Sequence, residues 1–142
     1  MSAVQAHRAA DVLVQYAWAV DRGDLEALRA MVIDDVKISH TGMHASGVEN
    51  FLDVYRSFLD SPIEKSQHSL SNIHVSAEGD GGLLVESYFE GTMFLRETSE
   101  RLFGRYSDSL VESDGDLRIA HKRITVDRVM NLPEASKEFV RP

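Results

Sequence analysis

Cysteine is absent from this 142-residue sequence, so disulfides and thiolate chemistry are excluded and a reducing compartment is permitted. Basic residues are scarce: 15 Lys and Arg face 23 Asp and Glu, a formal charge of −8. Such a field repels phosphate backbones and anionic lipid, and no basic cluster offsets it locally, so neither nucleic acid nor membrane is expected as a partner. No apolar run approaches the length needed to cross a bilayer. Met1 to Ala10 lacks the continuous apolar stretch of a secretory signal, and the expected location is cytoplasmic. Repeats, linkers and low-complexity tracts are also missing, and three prolines and nine glycines are too few to mark a disordered chain.

What remains is ordinary globular material, 43% hydrophobic and 27% charged, at a length suited to a single domain over 1–142. Val12, Leu13, Tyr16, Ala17 and Val20 recur at spacings of three and four, the period of an amphipathic helix over Gln5 to Val20. Gly23 supplies its stop and Asp24 the N-cap of a second short helix bearing Leu25, Leu28, Met31 and Val32. From Val36 to His40 apolar and polar residues alternate as in a half-buried strand that ends in Thr41-Gly42. A third helix follows Gly47, with Val48, Phe51, Leu52, Tyr55, Phe58 and Leu59 on one side, and Pro62 ends it.

Beyond Pro62 the chain reads as strands. They run from Ser66 to Ala77, Leu83 to Arg96, Arg101 to Glu112 and Leu117 to Val129, the last two joined at Asp114-Gly115, a strong hairpin signal. Asn131 to Pro142 carry no clear pattern. The sum is an α+β fold with N-terminal helices packed in the concave face of a strongly curved, mostly antiparallel sheet, a cone with a pocket.

Several segments in this order carry a resemblance. They are Tyr16-Ala17-Trp18-Ala19-Val20-Asp21-Arg22-Gly23-Asp24, Gln67-His68-Ser69-Leu70-Ser71-Asn72-Ile73, Gly104-Arg105-Tyr106-Ser107-Asp108-Ser109-Leu110, and Asp114 to Arg123. Together they resemble the SnoaL-like branch of the nuclear transport factor 2-like superfamily over residues 5 to 130. That superfamily contains dehydratases, isomerases, cyclases and pure binding modules, so the resemblance implies a fold more firmly than a reaction. In its dehydratases an aspartate ending the first helix faces a histidine on the first long strand, and Asp21 and His68 hold those positions here. The bile-acid dehydratases place a tyrosine five residues earlier, matched by Tyr16, and a polar ligand on the strand after helix 2, where this sequence has His40. Scytalone dehydratase has a tyrosine directly before the aspartate. Here that residue is Val20, which argues against the same substrate.

The chemistry of these side chains suits acid–base catalysis without a cofactor. An imidazole gains and loses a proton near neutrality, and a carboxylate beside it makes it a better base for a proton α to a carbonyl. Tyr16 lies about 140° around an ideal helix from Asp21, so the two flank a pocket more readily than they touch. Each residue also has a plainer reading: His68 as a satisfied structural histidine, Asp21 in a salt bridge with Arg22, Tyr16 as a core aromatic. Tyr106 shares a strand face with Leu102 and Leu110 and either lines the pocket or packs in the core. Arg123 and Arg128 fall on opposite faces by strand period, and Arg128 is preferred as the inward one, for an acidic group of the ligand.

No metal is expected. Thr41-Gly42 breaks the helix that would align His40 with His44, and His68 and His74 are about 20 Å apart at the strand rise. Two functions follow. One is a cofactor-independent dehydratase or isomerase acting on a small hydrophobic cyclic substrate. The other is a non-catalytic ligand-binding or assembly module, like the β subunit of ring-hydroxylating dioxygenases, with the pocket plugged by Trp18, Phe89 or Phe103. A homodimer or higher homo-oligomer through the sheet is expected in either case, with Phe89, Met93 and Phe103 as an outer apolar patch.

Overall fold

A computed structural model describes residues 1–79 and 81–133 of the chain. Three helices come first or near-first: α1 (Ala3–Arg22), α2 (Leu25–Ala30) and, after two strands, α3 (Val48–Leu59). The strands are β1 (Val32–His40), β2 (Met43–Ser46), β3 (Lys65–Glu78), β4 (Gly82–Phe94), β5 (Ser99–Ser113) and β6 (Asp116–Leu132). They form one sheet in the order β2-β1-β6-β5-β4-β3, antiparallel at every step except β1 against β6. The fold is the α+β cone expected from the sequence, with its sheet open rather than closed into a barrel.

The helices form for the reasons their sequences give. Ser2 and Gln5 make a reciprocal capping box at the start of α1, and Gly23 ends it in the left-handed region, φ 64°, returning its N–H to Ala19 and Val20 carbonyls. Asp24 accepts from the Ala27 N–H as the N-cap of α2. One face of each long helix is buried, Leu13, Tyr16 and Val20 on α1 and Phe51, Leu52 and Tyr55 on α3. These pack against Val36, Ile38, Val85, Leu110 and Ile119 from the concave face of the sheet.

Three features depart from the sequence reading. Met43 to Ser46 form a short strand, turned back on β1 through Thr41 and Gly42, both at positive φ. Asn131 and Leu132 continue β6, while residues 134–142 of the expected tail lie outside the described residues. The outer apolar patch is not there: Phe89 and Met93 are buried on the concave side, and only Phe103 is on the convex face, half-buried.

Candidate active site

Asp21 stands in the last turn of α1, where the helix leans on edge strand β3. An edge strand leaves backbone N–H groups without a sheet partner. The Asp21 carboxylate captures one of them. Its Oδ2 accepts the His68 backbone N–H at 2.8 Å, and its Oδ1 accepts the Ser66 hydroxyl at 2.8 Å and His68 Nδ1 at 2.6 Å. Burial by itself would raise the Asp21 pKa, but these hydrogen bonds from His68 and Ser66 outweigh it and hold the carboxyl below its ordinary value. With the carboxylate ionised and accepting, Nδ1 is the donor in that contact, which leaves Nε2 as the ring nitrogen not engaged by Asp21.

Nε2 lies over Gly91, the residue paired with His68 across β3 and β4. A Cβ at Gly91 would stand 3.1 Å from Nε2 and 3.2 Å from Cδ2, so the bare glycine clears the place of the imidazole. The pattern repeats one strand over. Phe89 crosses its own partner Gly104, where a Cβ would meet the ring carbons at 2.6 and 2.8 Å and collide with the Thr125 carbonyl. Two glycines thus let two rings lie flat against the sheet.

His68 and these rings border a cavity of about 400 Å³ inside the cone. Its wall is largely apolar, with Val20, Phe58, Phe89, Met93, Leu102 and Ile124 among its residues. The polar groups are few: His68, His40, Tyr16, Tyr55, Tyr106, Glu100 and Ser57. The Tyr16 and Tyr55 hydroxyls share a 2.7 Å hydrogen bond, and their rings meet edge-on at 5.9 Å. Burial pushes the Tyr16, Tyr55 and Tyr106 phenols above their ordinary values, which keeps them protonated. Of the Tyr16–Tyr55 pair one hydroxyl donates to the other, so one O–H is left for a third acceptor.

Behind this aromatic floor is a buried ion pair. Lys122 and Asp108 have fully buried side chains and meet at 2.7 Å. The ammonium also sits 3.8 Å from the Tyr16 ring centre and 3.6 Å from that of Tyr106, so two π faces receive what the carboxylate does not. Burial raises the Asp108 carboxyl and lowers the Lys122 amine, and their contact works against both shifts. Neither residue borders the cavity.

The candidate residues read from sequence are thus divided. Tyr16, His40, His68 and Tyr106 border the cavity, and Asp21 stands behind His68. Asp21 does not point into the mouth of the cone, because three donors on β3 hold its carboxylate. Asp21 and His68 also face an outer groove between α1 and β3, which carries Trp18.

Arg128 is a correction. It is exposed and pairs with Phe103 on the convex face, because a bulge between Phe103 and Gly104 inserts an extra residue into β6 and reverses the alternation. Arg123 reaches Ser109 Oγ and the Ser107 carbonyl on that same face, so neither arginine enters the cavity. His44 bonds Ser39 on the convex face while His40 borders the cavity. Among the described residues no three His, Asp or Glu side chains converge as a metal site.

Sequence reasoning missed Tyr55, Gly91, Glu100, Asp108 and Lys122. Tyr55 was legible only as a core residue of α3. An isolated glycine inside a strand pattern was the available signal for Gly91.

Solved structures with this fold include a scytalone dehydratase-like protein from Novosphingobium aromaticivorans, at 16% identity and a TM-score of 0.82, covering 96% of this chain and 95% of that one. A type 2 hexachlorocyclohexane dehydrochlorinase (LinA) is similar at 17% identity and a TM-score of 0.83, covering 98% and 95%. The type 3 enzyme from Novosphingobium barchaimii gives 17% and 0.83, covering 98% and 96%. No curated protein matches the sequence. Residues 5–123 match the family model of the SnoaL-like domain, and the chain belongs to that family.

Proposed function

We propose that this protein is a cofactor-independent lyase or isomerase, with His68 as general base and acid, Asp21 as its orienting partner, and the Tyr16–Tyr55 pair as the donor to a substrate oxygen. The observation that carries this reading is the 2.6 Å contact between His68 Nδ1 and an ionised Asp21, which leaves Nε2 free beside an open, apolar cavity. None of the three residues that would plug the pocket fills it. Trp18 is 53% exposed, Phe89 lies flat along the wall, and Phe103 is on the convex face.

The chemistry balances without further reactants. Nε2 takes a proton from a carbon α to a carbonyl, and charge develops on the carbonyl oxygen, where a phenolic O–H donates to it. In a dehydration the electron pair returns to form a carbon–carbon double bond as the β C–O bond breaks, and the imidazolium gives its proton to the departing hydroxide, forming water. In an isomerisation the imidazolium returns the proton to a different carbon. The LinA neighbours are hexachlorocyclohexane dehydrochlorinases by name. His40 is a further contact to the substrate at the end of β1.

The test is turnover of a set of cyclic β-hydroxy ketones, followed by the absorbance of the conjugated product. Wild-type protein should convert at least one of them, and Asp21→Asn and His68→Ala should each abolish or strongly reduce that conversion. Undiminished conversion by both variants would refute the mechanism.

A further inference from the structure

The charges around the cavity are placed so as to sort its ligands. Lys122 is sealed beneath the Tyr16 and Tyr106 rings and paired with Asp108. Arg123 and Arg128 are turned to the convex face by the bulges in β6. Among the described residues no lysine or arginine borders the cavity.

Glu100 does border it. Leu102 and Tyr106 follow Glu100 at even spacing on the inner face of β5, so all three side chains point into the same space. Glu100 lies near the outer end of the strand, paired with Met93 on one side and Asn131 on the other, whereas Tyr106 lies at the floor. Six residue steps along the strand separate them, about 20 Å along the backbone. Among the described residues no basic group forms an ion pair with Glu100, although it is half-buried. A carboxylate in that position repels a second carboxylate and accepts from an alcohol or an ammonium.

We infer that Glu100 is a specificity-determining residue, and that the cavity takes an uncharged or cationic fused-ring ligand with a hydroxyl or amino group at the rim and an acceptor oxygen at the tyrosine floor, and rejects the corresponding carboxylate. The inference rests on the cavity being the ligand site of the proposed function, and it does not depend on the reaction. Its selectivity is opposite to that expected of an inward arginine. A free acid is excluded by the rim, and its neutral alcohol is admitted.

Binding of three matched probes tests it: 2-naphthylmethanol, 2-naphthylmethylamine and 2-naphthoate, measured by calorimetry at low salt. Wild-type protein should bind the alcohol and the amine, and bind the naphthoate weaker by about tenfold or more. In Glu100→Gln the penalty on naphthoate should fall and the preference for the amine over the alcohol should disappear. In Glu100→Lys the naphthoate should become the tightest of the three. Thermal melts of each variant show whether it is folded. The same ranking should be found in Asp21→Asn, so loss of catalysis leaves the inference standing. Equal binding of naphthoate and alcohol, a ranking unmoved by either Glu100 variant, or no binding of any probe would overturn it.

Discussion

Asp21–His68 and Asp108–Lys122 each join a carboxylate to a nitrogen base, at 2.6 and 2.7 Å, yet their surroundings are opposite. The first is at the seam of α1 and an edge strand, with one ring nitrogen committed to the carboxylate and the other facing a cavity. The second is fully buried, with its ammonium enclosed by a carboxylate and two aromatic faces. The difference teaches that access, not composition, decides what an acid–base pair can do. A proton on Lys122 has nowhere to go. The His68 ring borders the cavity.

Exchanging or removing one member of each pair sharpens this contrast, and the largest effect is expected at the open pair. His68→Ala should lower turnover by about 10²–10⁴-fold through the loss of proton transfer, and because the side chain is only 8% exposed its removal also costs some packing. Circular dichroism and a steady-state assay on the same sample separate those outcomes. At the sealed pair the order reverses. Lys122→Ala leaves a buried carboxylate without its ammonium and should reduce stability by about 3–5 kcal/mol in urea unfolding. The double replacement Lys122→Met with Asp108→Leu should recover most of that loss, because no unpaired charge is left behind.

Gly91→Ala probes the geometry of the open pair without touching its chemistry. The added methyl would stand 3.1 Å from Nε2, and the ring has little freedom to give way because Asp21 holds its other side. Turnover should fall by about tenfold to a hundredfold, with only a modest change in melting temperature. A variant with unchanged turnover would show that the imidazole is not fixed as described.

The smallest expected effect is in acid. Asp21 has a folded pKa below its ordinary 3.8, so its hydrogen bonds stabilise the fold above about pH 4, and that contribution is lost as pH falls through the lowered value. Wild-type protein should therefore be more stable than Asp21→Asn near neutrality, with the difference shrinking as the pH falls below 4. A gap that widened in acid would assign the wrong sign to the carboxylate.

Much of this was legible in the sequence, and for local reasons. The helix caps at Gly23 and Asp24, the period of α1 and α3, and the Asp114-Gly115 hairpin are set by residues close together in the chain. Asp21 and His68 were found through their resemblance to a family pattern, since no local signal relates two residues 47 apart.

What escaped was set by register. Extending the Ser113–Asp116 pairing backwards would place Asp108 opposite His121. A shift between Ser109 and Leu110 instead sets Ser109 opposite His121 and brings Lys122 to Asp108. A second shift near Phe103 turns Arg128 outward. Both bulges depend on packing between strands, and the strand period alone carries no trace of them. The parallel pairing of β1 with β6 is hidden for the same reason, because its partners are about 85 residues apart, as in Ile38 with Lys122.

The most direct test of the open pair needs no knowledge of the natural substrate. In deuterium oxide, the α-protons of a fused-ring ketone such as 2-tetralone exchange slowly by themselves, and proton resonance follows the loss of their signal. With His68 Nε2 poised as a base over the cavity, catalytic amounts of wild-type protein should speed that exchange, and His68→Ala should return it to the background rate. Exchange that is no faster with wild-type protein than without it, or equally fast with His68→Ala, would contradict the assignment of the base.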